Sequence, residues 1–479
     1  MLIRSRLAPW ATACLLAAFG TQSTSLTSAA LPSTVIPSTV TSSTVTSSTV
    51  EPSALPSAAA SSAAPDPTHA LLQDPERGTI GGLIQCGPGW VQIDAARRIE
   101  TPYPVAKALE FAGPGALIEL QPGDYPPLMI GFKNQDPSNA RTVGGQPGLP
   151  ITIRGRGEVR FKAQGRGDTI GITQQFPVGH ISFEKIVIEA GTRSAVMFYD
   201  LADRDQHTGF RFYDCGIDGG WDHLGGTGNS SKWGILGHDL ADFVFAGREG
   251  RAFVRDVRLE HAFYLQSPRG DITLENIDAK RLGRCFMQIT ARERSGPPGR
   301  GLIVVRGNNV SDTGLSEWDD YKGGTAYTLA GGLQHCTILI ENNTYKAGFD
   351  QRLRRLTRGG APYGTGALVA WDGGEKLPNG SLVLRSNEFR FAEGCGDRAT
   401  VAISACERVV IEEDNVFQAG AFGVALELEP QYSGDRPGPK ANGRIFLAEG
   451  TELVGELRIA AVTATAEQRV ALAVPFGER

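Results

Sequence analysis

The sequence predicts an all-β solenoid of stacked coils, on three observations: a short template recurs, one of its columns changes from apolar to amide side chains, and the chain is long and glycine-rich. The template is clearest over residues 337–347. Ile338 and Ile340 alternate with polar residues as in a strand with one buried face, Asn343 follows Ile340 at plus three, and Tyr345 returns to the core at plus five. Seven further stretches fit it, anchored on Phe183, Phe212, Val254, Leu274, Val305, Leu384 and Ile411. Their plus-five residues are Ile188, Ile217, Leu259, Ala279, Val310, Phe389 and Val416, with no slip of register.

The plus-three column reads Ile186, Cys215, Val257, Ile277, Asn308, Asn343, Asn387 and Asp414. Equivalent positions on stacked coils lie about 4.8 Å apart, so the second half of this column is expected to form an amide ladder inside a turn. Successive anchors lie 20 to 44 residues apart, which makes the shortest spacing one coil and the excess loop. The chain has 479 residues, 60 of them glycine, with 52 acidic against 47 basic residues and a net charge of -5. That balance gives no reason to expect a nucleic-acid partner. One long domain over 71–479 is reasonable, because each coil packs only on its neighbours.

The amino terminus reads as an export signal over 1–20: Arg4 and Arg6, then the apolar run from Leu7 to Gly20, with Ala18-Phe19-Gly20 as a cleavage site. It is too short to span a membrane. Residues 21–70 form a Ser/Thr/Pro/Ala-rich linker with almost no charge, which cannot bury enough apolar surface to offset chain entropy. A secreted or cell-envelope protein is therefore expected, with no membrane span, as a monomer.

Folding is expected to begin near Leu71. A short helix over Pro102–Phe111 precedes a turn, an apolar strand from Ala116 to Leu120, and a second turn at Pro122-Gly-Asp-Tyr125. This order, followed by Gly148-Leu-Pro-Ile-Thr-Ile-Arg154, resembles the opening of secreted right-handed parallel β-helix proteins of the pectate-lyase-like superfamily, nearest in style to alginate and chondroitin polysaccharide lyases. The resemblance covers roughly residues 100–430 as a fold and is weak for any one activity. It implies a single-stranded right-handed parallel β-helix with an Asn ladder, an N-terminal cap helix and long loops on one edge.

Cys86, Cys215, Cys285, Cys336, Cys395 and Cys406 remain after export. Buried free thiols are expected for most, since Cys215 lies in the inward column and Cys285 alternates with Met287, and a Cys395–Cys406 bond is left open.

In the resembling superfamily the strand after the plus-five residue belongs to the sheet that floors the substrate groove. Aligning those strands gives one outward column: Tyr199, His238, Gln266, Gln288, Ala330, Trp371, Ser404 and Glu427, with Tyr264 and Phe286 two residues earlier. Aromatic and amide side chains in a row suit sugar rings, although a solvated sheet face reads the same way. The longest insertions, 218–232, 311–324 and 348–365, should rise as a wall along one edge; they carry Trp221, His223, Trp318, Asp319, Asp320 and an arginine run from Arg352 to Arg358.

Two chemistries compete on that face. Eliminating an acidic, uronate-containing polysaccharide requires cations to neutralise the carboxylate and a base of Lys, Arg, His or Tyr type. Lys280, Arg284 and Arg292, converging near His261 and Tyr264, are the candidates, with Tyr199, His238, Gln266, Gln288, Trp371 and Trp318 as substrate-binding residues. A glycoside hydrolase would need two carboxylates flanking the bond, for which Asp200, Asp239, Asp372, Asp319 and Asp320 are available, although an aspartate at a strand end often bonds its own turn. The same aspartates could hold Ca²⁺, but no loop shows a ligand spacing that compels it, and no cofactor is otherwise implied. A third reading is a stalked, non-catalytic module that binds polysaccharide.

Overall fold

The computed structural model describes residues 81–459 except 135, 141, 143, 200–205, 292–297, 317–323, 355–365, 373–376 and 430–441. The expected export signal and linker, together with Arg292, Trp318, Asp200, Asp319 and Asp320, lie outside the described residues.

Three long sheets run the length of the described chain, with fourteen, eleven and twelve strands, and each coil contributes one strand to each. We number them sheets one, two and three in the order a coil visits them. Apart from the opening antiparallel strands Leu83–Gly87, Trp90–Gln92 and Arg98–Glu100, every pairing in these sheets is parallel. The chain is a right-handed parallel β-helix, the hand being the one that parallel crossovers within a sheet adopt.

Helix α1 (Pro104–Leu109) starts with Pro at its first turn and buries Pro104, Val105, Ala106, Ala108 and Leu109. It packs on strands Leu83–Gly87 and Trp90–Gln92 at the start of the solenoid.

The anchor column is continuous. Phe183 pairs with Phe212, Phe212 with Phe245, and Phe245 with Leu274; from there it runs through Val305, Ile340, Leu384 and Ile411 to Leu447. One coil departs from the expected template. Phe245, not Val254, is the sheet-one anchor, and Val254 pairs with Ile217 and Ala279 in sheet two. The turn between Phe245 and Val254 is longer than the template allows, so a fixed plus-five rule steps over it. Aromatic side chains mark this stretch of the interior: Phe183 stacks on Phe212 with centroids 4.8 Å apart, and Phe245 meets Phe263 edge-on at 5.1 Å.

The amide ladder comprises Asn308, Asn343, Asn387 and Asn415, all buried. The side-chain oxygens of Asn343, Asn387 and Asn415 each accept from both the backbone N–H and the side-chain amide of the asparagine one coil earlier, at 2.9 to 3.1 Å, and that of Asn308 accepts from the Ile277 backbone N–H at 3.0 Å. Each side-chain amide also donates to a sheet-one carbonyl, as Asn343 does to Val305 at 2.8 Å. The expected member Asp414 is exposed instead. This turn holds one extra residue, with Asp414 at φ 60, so Asn415 drops into the ladder and Phe417, not Val416, pairs with Phe389. In the first half the corresponding residues are apolar, Ala252 (not Val257) pairing with Ile277.

All six cysteines among the described residues are buried and free, which closes the Cys395–Cys406 alternative. Among the described residues no helix is long and apolar enough to cross a membrane.

Candidate functional site

The outer face of sheet three is built by strict alternation. In strands Trp233–His238, Phe263–Gln266, Met287–Thr290, Tyr327–Ala330 and Leu368–Trp371, the residues Ile235, Phe263, Met287, Tyr327 and Leu368 point into the core. Leu236, Tyr264, Gln288, Thr328 and Val369 form one outward column, and His238, Gln266, Thr290, Ala330 and Trp371 form the next. Tyr199 and Ser404 extend the second column by backbone hydrogen bonds to Ile172 and Ala370. Tyr199, His238, Gln266 and Trp371 are thus aligned as expected.

Gln288 is not in that row. It pairs with Tyr264, two residues from its expected place; a shift of two keeps the same face, so Gln288 still points outward. Phe286, expected on the surface, is buried between the rings of Phe263 and Tyr327. Glu427 pairs with Ala402 and so belongs to the column of Tyr264. Trp371 is half-buried and packs on Val369, Ala399, Ala402 and Val424, a small apolar cluster outside the main core.

Arg284, His261 and Tyr264 come together on adjoining coils. Arg284 Nη1 donates to Glu260 Oε2 at 2.8 Å, and the buried His261 ring lies 5.1 Å from Tyr264, edge to face. The backbone N–H of Cys285 donates to His261 Nδ1 at 3.4 Å, which assigns the ring proton to Nε2, 3.5 Å from Glu260 Oε2. Burial, reinforced by Arg284, holds the His261 imidazole well below its ordinary pKa and therefore neutral. Lys280 does not join this group. It lies in strand Ile277–Leu282 of sheet two, between Arg255 and Ser311, and is exposed. Strand Ile277–Leu282 carries both Lys280 and Arg281 on sheet two, and the turn that leads to sheet three, residues 283–286, begins only after Leu282 and carries Arg284.

Two further ion pairs border the face. Asp168, almost fully buried, accepts from Arg193 Nε at 2.8 Å, from Ser194 Oγ at 2.7 Å and from the Tyr199 hydroxyl at 2.8 Å. Burial and this carboxylate push the Tyr199 phenol up to about 12. Arg269 pairs with buried Asp239 at 2.6 Å, so Asp239 is committed to a structural contact. Neither Asp168 nor Arg193 belongs to a motif, and their partnership joins neighbouring coils, so nothing local in the sequence signals it.

Of the wall loops, a short hairpin (Trp221–Asp222 with Thr227–Gly228) and helix α2 (Gln351–Arg354) are described. They border a cavity of about 310 Å³ at the turn between sheets two and three, lined by Asp218, Trp221, Asp222, Asp256, Arg281, Asp350 and Arg352 among others. Asp256 and Asp350 are matched by Arg281 and Arg352, and Arg258 covers the buried Trp221 ring at 3.9 Å. Among the described residues no group of three or more His, Cys, Asp or Glu is placed to hold a metal.

No family model matches the chain, and no curated protein matches it. Among solved structures it is similar to an alginate lyase from Paenibacillus sp. strain FPU-7, at 12% identity and a TM-score of 0.38, with 79% of this chain and 100% of that chain covered. It is also similar to pectate lyase Pel9A, at 12% identity and a TM-score of 0.31, with 73% and 78% covered.

Proposed function

We propose that this chain is an exported, carbohydrate-active β-helix protein that binds a uronate-containing polysaccharide along the outer face of sheet three and cleaves it by β-elimination. The observation that supports this most is the meeting of Arg284, His261 and Tyr264 on adjoining coils, beside a row of aromatic and amide side chains. In the elimination a base removes the proton α to the uronate carboxylate, a carbon–carbon double bond forms as the β carbon–oxygen bond breaks, and the leaving oxygen takes a proton. Arg284 would neutralise the carboxylate, exchanging part of its bond to Glu260 for one to substrate, and Tyr264 would move the proton. Neutral His261 supports the Tyr264 ring from beneath.

Export rests on the signal read over 1–20. A binding module without turnover is the second reading. It is favoured by the pairing of Arg193, Arg269 and Arg284 each with a carboxylate, which reduces the free positive charge on the face.

The test is a screen of the purified protein against alginate, pectate, chondroitin and dermatan sulfates and neutral glycans. It reads the ultraviolet absorbance of the unsaturated product and, in parallel, new reducing ends. Absorbance that disappears in a folded Arg284→Ala variant supports elimination. Reducing ends without absorbance would move the reaction to hydrolysis, and silence in both channels with retained glycan binding would leave the binding module.

A further inference from the structure

The register of sheet two lines up a second set of side chains on the solvent face of that sheet, away from the sheet-three face. Arg255 pairs with Lys280, Lys280 with Ser311, Ser311 with Lys346, and Lys346 with Arg390, so four cations and one hydroxyl occupy five successive rungs. Rungs lie about 4.8 Å apart, so Lys280 and Lys346 stand about 10 Å apart with Ser311 between them. The two ends of the row are engaged: Arg255 bonds Asp218 at 2.6 Å and Arg390 bonds Glu388 at 2.6 Å. The centre is not. Lys280 and Lys346 are exposed, and among the described residues neither meets a carboxylate. The neighbouring column, two residues earlier on the strands of Lys280, Ser311 and Lys346, is Asp278, Asn309 and Thr344; the Asp278 carboxylate is engaged by Arg251 and accepts from the Asn309 amide at 3.0 Å.

We infer that this row is a second binding strip, for an acidic polysaccharide lying parallel to the solenoid axis. The rung spacing is close to the advance of one sugar in an extended chain, so carboxylates on alternate sugars would meet Lys280 and Lys346 while hydroxyls meet Ser311, Asn309 and Thr344. A single-stranded nucleic acid would call for exposed aromatic side chains on which bases stack, and the row supplies none at its centre. The strip assigns Lys280 to holding polymer, not to proton transfer. It borrows the polymer class from the proposed function, but its existence rests on the sheet-two register alone.

Affinity electrophoresis in gels containing alginate or pectate tests it with the intact protein. The double variant Lys280→Ser with Lys346→Ser should lose retardation by roughly fivefold or more, most at low ionic strength. Lys185→Ser, an exposed lysine on the turn between sheets one and two, should change little. The part of the retardation that Lys280→Ser with Lys346→Ser removes should be removed equally in an Arg284→Ala background, whether or not the protein cleaves anything, which separates failure of the strip from failure of the elimination reading. Unchanged retardation in the double variant overturns the strip, as does equal lysine-dependent retardation by nucleic acid.

Discussion

The side-chain amide and the backbone N–H of Asn343 both donate to the same atom, Oδ1 of Asn387, at 3.1 Å each. One oxygen therefore satisfies two buried donors of the coil before it, and the Asn387 amide repeats the arrangement on Asn415. Replacing Asn343 by Leu strands the Asn308 backbone N–H and amide, takes a donor from the Val305 carbonyl and from Asn387 Oδ1, and should destabilise the domain by about 1 to 3 kcal/mol in chemical denaturation.

The ladder's end gives a sharper comparison. Asn415→Leu should cost a similar amount, about 1 to 3 kcal/mol, whereas Asp414→Asn should be nearly silent. Asp414 is exposed and left-handed, a conformation asparagine adopts readily. A near-silent Asn415→Leu beside a measurable effect of Asp414→Asn would place the ladder one residue earlier.

Phe245 fills the interior between Phe212 and Phe263. Phe245→Ala should lower stability by about 3 to 5 kcal/mol, measured by urea or thermal unfolding. A loss below about 1 kcal/mol would mean that this coil does not carry its anchor there.

On the sheet-three face, Trp371→Ala should weaken oligosaccharide binding by about 1 kcal/mol, read by calorimetry, because the ring is half-exposed and braced by Val369 and Ala402. If binding is unchanged, the ring packs on its own apolar cluster and does not meet sugar.

Acid sensitivity follows from His207. It is buried, with Nε2 2.9 Å from the Tyr199 carbonyl oxygen, and burial pushes its pKa from 6.5 down to about 4. The unfolded chain takes up a proton near pH 6.5 while the folded chain resists until about pH 4, so this contribution is full above pH 6.5 and is lost as the pH falls to about 4. The loss should be roughly 2 to 3 kcal/mol, and His207→Gln should flatten the stability profile across that window.

Some of this architecture is written in short stretches of sequence. Ile338, Ile340, Asn343 and Tyr345 carry the strand, turn and next strand within eight residues, because alternation and turn chemistry act between near neighbours. The template failed where a turn changed length. Phe243-Val-Phe245 alternates as clearly as any other strand, but the turn that follows is longer than plus five allows, and one extra residue before Asn415 displaced the reading onto Asp414. Preference for an amide over a carboxylate at that position would have found Asn415.

The sequence by itself determined the solenoid, its inward columns, the asparagine turn and the row of Tyr199, His238, Gln266 and Trp371, since each follows from spacing within one coil. The tertiary structure decided which charges meet. Arg284 with Glu260, Arg193 with Asp168, and Lys280 between Arg255 and Ser311 join residues about one coil apart in the chain. Their contacts depend on how many residues each intervening turn consumes, because a change of one residue in a turn resets every partner on the next rung.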